Sequence, residues 1–162
     1  MAKLPTKSVR RVTFAGVMLA ALVGVCLGVS VSTFDYAEGT SYLSNDPKAC
    51  VNCHIMRDQF ESWQKSPHHA HATCNDCHVP NDSVLAKFYV KAEHGYRHSK
   101  GFTLQDFHEP IQITEESLTV VQDNCLRCHG ELVSESTASH VHGSKGMECT
   151  HCHAGIGHGP RR

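Results

Sequence analysis

The chain has almost no net charge. Its 15 lysines and arginines face 16 aspartates and glutamates, leaving −1 over 162 residues. Nucleic acid would find nothing to hold, so no such partner is expected. There is no nucleophile triad and no phosphate-binding glycine loop. The length suits one domain and leaves no room for a separate catalytic one. Strand-like alternation is scarce, so the expected fold is mainly α with extensive irregular loops.

Cysteine and histidine are in excess, at 9 and 14. Eight cysteines fall into four pairs, each followed by histidine: Cys50-Cys53-His54, Cys74-Cys77-His78, Cys125-Cys128-His129 and Cys149-Cys152-His153. In C-x-x-C-H the two thiols bind the vinyl groups of a c-type haem and the histidine binds its iron. One copy is a weak signal; four out of four is strong. Four covalent haems are therefore expected. Zinc is the competing reading, because twenty residues separate Cys53 from Cys74 and Cys128 from Cys149. A four-thiolate zinc site, however, has no use for a histidine after every second cysteine. Structural disulfides would explain neither the identical spacing nor the trailing histidine.

One long apolar run exists. Residues 12–34 are 23 residues without a charge. As a helix they would extend roughly 34 Å, enough to cross a hydrocarbon core of about 30 Å. Lys3, Lys7, Arg10 and Arg11 precede the run; Asp35, Glu38 and Asp46 follow it. The positive-inside bias places residues 1–11 in the cytoplasm and 35–162 in the periplasm. The run is long for a signal peptide and no convincing A-x-A site follows, so an uncleaved single-pass anchor in membrane lipid is expected. Gly24 and Gly28 would permit close helix approach within it.

The four motifs start at 50, 74, 125 and 149, so the second pair repeats the first after 75 residues. This pattern implies a compact tetrahaem domain built from a duplicated dihaem unit, about 45–100 and 114–162. Beyond the anchor about 128 residues remain, or 32 per haem. So small a chain cannot enclose four macrocycles and also build a large side-chain core, so the haems must form most of the core. Three helices are expected there. One carries Ile55, Met56, Phe60 and Trp63; one runs from about Asn81 or Asp82 to His98; one starts near Thr114, with Leu118 and Val121 ahead of Cys125.

His54, His78, His129 and His153 are the candidate proximal ligands, and other histidines must supply distal ones. Clusters precede the second motif of each pair: "SPHHAHATC" holds His68, His69 and His71, and "SHVHGSKGMEC" holds His140 and His142. His158 is a further candidate. Such a histidine can reach a different haem and tie two motifs together. Met56 is a second soft ligand beside His54, although it could equally pack against Phe60. Lys87, Lys91, His94 and His98 form one stripe of the second helix. Lys91 reads as part of a solvated face.

The apolar segment, "SYLSNDPKACVNCHIM", "CHVP" after the second motif, the KA-x-x-G stretch and the terminal "HG" together resemble the NapC/NirT/NrfH family of membrane tetrahaem cytochromes. The resemblance covers nearly the whole chain. Its length is most similar to the NrfH branch, the small subunit of cytochrome c nitrite reductase. The resemblance implies a protein of the bacterial cytoplasmic membrane that oxidises menaquinol. Its electrons would pass to a periplasmic multihaem reductase, the catalytic subunit that turns nitrite into ammonia in anaerobic respiration. It also implies that Met56, not His54, ligates the first iron. A thioether is a weaker donor than imidazole and raises a haem potential, which suits a first acceptor. Lys87 matches a lysine that hydrogen-bonds quinol oxygen in that branch. His94 stands where the branch has an aspartate; it could take a proton or close the iron site. Other members serve other periplasmic reductases, and the residues alone would also allow a passive relay with no quinol site.

Overall fold

The computed structural model describes residues 6–134 and 148–159, and these residues form helices and turns with no strand among them. The chain divides into two units, Met1–Thr40 and Ser41–Arg162.

The first unit is built on α1, Thr6–Tyr36. Its apolar span, Thr13–Tyr36, has 24 residues of mean hydropathy 2.4, none buried within the protein. At about 1.5 Å per residue it is long enough to cross a membrane. Phe14, Leu19, Leu22, Val25 and Leu27 all point outward, so the helix is apolar on every side, as a lipid-embedded helix must be. Beyond it Gly39 lies under the Phe34 ring, where any Cβ would collide.

The second unit begins with 3-10 turns, Gly39–Leu43 crossing the boundary and Pro47–Asn52 following. Asp46 starts the latter by accepting from the Lys48 amide at 2.9 Å, with Pro47 preset for the first position. A third turn, His54–Met56, leads into α2, Arg57–Gln64. The Trp63 indole then donates to the Ala72 carbonyl at 3.0 Å, folding the Pro67–Ala70 turn back on α2. Helix α3, Cys74–His78, opens on a capping box. There the Thr73 amide and hydroxyl donate to Asp76 at 2.8 and 2.7 Å.

Helix α4 is Val84–Leu104. It starts later than the sequence suggests because Ser83 is its cap, accepting from the Ala86 amide. The side chain of Asn81 is engaged elsewhere, donating to the Val79 carbonyl at 3.0 Å. It also runs past His98 until Gln105 turns left-handed at φ 56°. Helix α5, Glu115–Ser134, starts where expected; Thr114 accepts from the Ser117 amide, and Glu115 and Glu116 complement the helix dipole. It continues straight through the third motif. Helix α6, Cys149–Cys152, carries the fourth.

Among the described residues only Ala49, Val79, Gly101 and Asn124 are buried, and no large side chain is fully enclosed. The polypeptide therefore does not supply the core that a domain of this size needs, in line with the expectation that bound groups fill it.

Candidate haem chain

The four motifs sit on four different supports: the Pro47–Asn52 turn, α3, the second half of α5, and α6. They meet in sequence order. Cys50 interacts with Cys74, Cys77 with Cys128, and Cys125 with Cys149. The Cys74 contact, helped by Lys91, brings the Cys50 thiol down to about 7 against the effect of burial. Cys74 is displaced upward by the same contact, and burial pushes Cys125 up to about 11. Before haem attachment Cys50 is thus more readily ionised than Cys74, Cys77 or Cys125.

Asn124 holds the second and third motifs together. Its amide donates to the Cys77 and Val79 carbonyls at 3.1 and 3.0 Å. Its oxygen accepts from Asn81 and Arg127, each at 3.3 Å. Arg127 also donates to the Asp76 carbonyl. Burial alone would raise the Asp76 carboxyl, but Thr73 and Arg127 hold it below the usual range. The fourth motif is docked by the Cys149 amide on Gln122 at 2.8 Å.

Two histidine pairs, each with one motif histidine, have ring centroids about 6 Å apart. The rings of His78 and His158 are 5.9 Å apart, and those of His68 and His129 are 6.0 Å apart. Metal–nitrogen bonds of about 2 Å on opposite sides of one ion put imidazole centroids roughly 6 Å apart. Each pair combines a motif histidine with one from a distant segment. His158 Nδ1 is 3.1 Å from the Gln59 carbonyl, which fixes the proton on Nδ1 and leaves Nε2 for a metal. Burial pushes His78 down to about 4, favouring the neutral form that a ligand needs. His68 Nδ1, Gln59 Oε1 and Ser66 Oγ are buried without a protein partner. The exposed His153 joins neither pair, and its candidate partners His140 and His142 lie outside the described residues. On these observations the residues fit haem.

At the first motif His54 is exposed and Met56 half-buried. In a 3-10 turn, residues two apart lie about 120° apart around the axis, so the two side chains leave the turn in different directions. The Tyr42 hydroxyl is 3.9 Å from Cys53 Sγ, and burial and that thiol push it up to about 12.

Helix α4 runs alongside. Lys91 is more than part of a solvated face: half-buried, it donates its ammonium to the Tyr42, Leu43 and Ser44 carbonyls at 3.1, 3.4 and 2.6 Å. These carbonyls project from a short turn and need a donor, which draws the lysine in. Burial and Lys87 lower its pKa. Lys87 is half-buried on the same face. His94 Nε2 is 3.2 Å from Ser117 Oγ, and its ring stacks on His98 at 5.9 Å. Burial, then His98, lowers its proton affinity. Arg97 bridges Glu93 and Glu116, tying α4 to α5.

Residues 10–161 match the NapC/NirT cytochrome c family, N-terminal region. The chain belongs to that family. It is 37% identical over 146 residues to the cytochrome c-type protein NrfH of Wolinella succinogenes, covering 85% of this chain and 82% of that one. Against the cytochrome c nitrite reductase subunit NrfH of Nitratidesulfovibrio vulgaris it is 36% identical, covering 85% and 81%. NapC of Escherichia coli is 28% identical, covering 71% and 69%. Among solved structures it is similar to a chain of the cytochrome c nitrite reductase NrfHA complex bound to the HQNO inhibitor. The TM-score is 0.62 at 30% identity, over 88% of this chain and 92% of that one.

As a NapC/NirT-type cytochrome c, the protein carries covalently bound haem and, with its apolar N-terminal helix, is membrane-anchored. Two members of the site escape sequence reasoning. Asn124 offers only an asparagine directly before a motif, inside an otherwise amphipathic helix. Lys91 offers no signal that distinguishes it from Lys87.

Proposed function

We propose that the protein oxidises menaquinol at the periplasmic face of the bacterial cytoplasmic membrane. Its electrons pass to the catalytic subunit of cytochrome c nitrite reductase, and this chain is not itself the nitrite-reducing subunit. The carrying observation is the succession Cys50–Cys74, Cys77–Cys128, Cys125–Cys149, which lines up four attachment motifs in sequence order. Such a line has two ends, one for taking electrons up and one for handing them on. The similarity to NrfH proteins and to a chain of the NrfHA complex supports nitrite reductase as the recipient.

In this reading the eight motif cysteines hold four haems, which supply one-electron carrier chemistry. His78 with His158 and His129 with His68 would hold the second and third, His153 would hold the fourth, and Met56 rather than His54 would hold the first. Gln59 orients His158 and Asn124 fixes motif two against motif three. At the first motif the Lys91 clamp fixes α4 against Tyr42–Ser44, so that Lys87 can meet a quinol oxygen. His94 accepts a proton on the nitrogen that faces Ser117. The positive residues before α1 support a cytoplasmic N-terminus.

The test uses the purified haem-loaded chain in detergent, mixed anaerobically with a menaquinol analogue while the haem absorption is followed. Prompt reduction is expected, slowed by Lys87→Ala. Adding the nitrite reductase catalytic subunit and nitrite should then reoxidise the haems. Reduction by dithionite but not by quinol, with or without the catalytic subunit, would leave a passive relay. Reoxidation only by a different periplasmic reductase would reassign the partner.

A further inference from the structure

Helix α4 has a second face, which nothing assigned so far uses. Leu85, Tyr89 and Tyr96 are 84%, 73% and 70% exposed, and Ala92 lies exposed between them. At 3.6 residues per turn these four fall within about 60° of arc. Lys87, Lys91, His94 and His98 occupy the opposite side. The bonds to Tyr42–Ser44 and to Ser117 leave from that side, so the apolar stripe faces away from the motifs.

We propose that this stripe lies on the lipid headgroup layer of the bilayer that α1 spans. Two observations choose lipid as its occupant. Lys91 pins α4 to carbonyls only six to eight residues beyond Tyr36, the last residue of the span. Eight residues reach at most about 28 Å even when fully extended. The stripe's chemistry also suits a membrane boundary. Tyrosine has an apolar ring and a polar tip, and it concentrates at headgroup level. A surface-lying helix with leucine and aromatics on one face and lysines on the other is an interfacial anchor. Docked so, α4 would hold its lysine–histidine face, and the first motif beside it, at a fixed height above the membrane. This proposal requires no particular electron donor.

The test is photolabelling of the full-length haem-loaded protein in vesicles of phosphatidylethanolamine and phosphatidylglycerol. The vesicles carry a phospholipid with a diazirine near the head of its acyl chain. Peptide mass analysis should find lipid adducts on Leu85, Tyr89 and Tyr96 in addition to α1. Combining Leu85→Ser, Tyr89→Ser and Tyr96→Ser should cut the α4 adducts at least about fivefold and leave α1 labelling and the haem spectrum unchanged. The wild-type map decides the matter even if that variant misfolds. Adducts confined to α1 would overturn the proposal. So would α4 adducts that vanish on adding the reductase catalytic subunit, since the stripe would then be a protein-docking face.

Discussion

Asn124 is the most exacting place to test the arrangement, because its whole role lies in four hydrogen bonds. In Asn124→Ala the Cys77 carbonyl loses its 3.1 Å donor, whereas the Val79 carbonyl keeps Asn81 at 3.0 Å. An orphaned buried carbonyl costs about 1–3 kcal/mol, and each other lost bond about 1 kcal/mol or less, so the variant should lose about 2–4 kcal/mol. Asn124→Asp sharpens the test. It keeps the shape but turns an acceptor towards two carbonyls, offset only in part by Arg127. Those carbonyls favour the protonated acid, so the folded-state pKa rises above the unfolded value. Stability is then lost as pH rises through the folded pKa and partly regained on acidification, when the acid recovers a donor. The assay is urea unfolding of the haem-loaded protein, followed by the low-spin haem spectrum at neutral and acid pH. Electron passage between the second and third haems should slow in both variants if the motifs drift apart. Wild-type stability of Asn124→Asp at neutral pH would refute the reasoning.

Three other outcomes are expected. Met56→His should lower the potential of the first haem; each drop of about 60 mV makes one-electron uptake tenfold less favourable, and a redox titration would show no shift if Met56 is not a ligand. His68→Ala and His158→Ala should each convert one haem from low to high spin, and the double variant two; magnetic resonance showing the double equal to either single would break the pairing. Burial lowers the His94 pKa, so the neutral, proton-accepting ring persists below the ordinary histidine range. Quinol oxidation should therefore hold down to about pH 6.5 and decline only in more acid solution, with the stability contribution of His94 lost over the same window. The groups facing it are His98, Glu93 and Arg97 on α4, Ser117 on α5 and His78 on α3; a profile in His94→Asn identical to that of the wild type would remove His94 from the proton path.

The contrast between legible and illegible residues has a physical basis. C-x-x-C-H is read directly because covalent attachment fixes its spacing locally, and the apolar span is read because lipid constrains every residue of it. The sequence offers candidate partners for His78 and His129, among them the cluster at 68–71 and the single His158, but does not pair them. Pairing depends on α3 meeting α5 and on the C-terminal turn reaching Gln59, contacts between segments up to 99 residues apart. The start of α4 shows the same limit at short range. Asn81 and Ser83 are both good caps by type, and the choice falls to Ser83 because Asn81 is drawn off by Val79 and Asn124. Lys87 and Lys91 are alike on one helical stripe; only the three carbonyls of a turn more than forty residues upstream make one of them structural. In a domain whose own side chains bury so little, these few long-range polar contacts carry the work that apolar packing does elsewhere. Periodicity records faces and not partners, so it leaves Lys91 indistinct from Lys87 and passes over Asn124, although both hold the motifs in place.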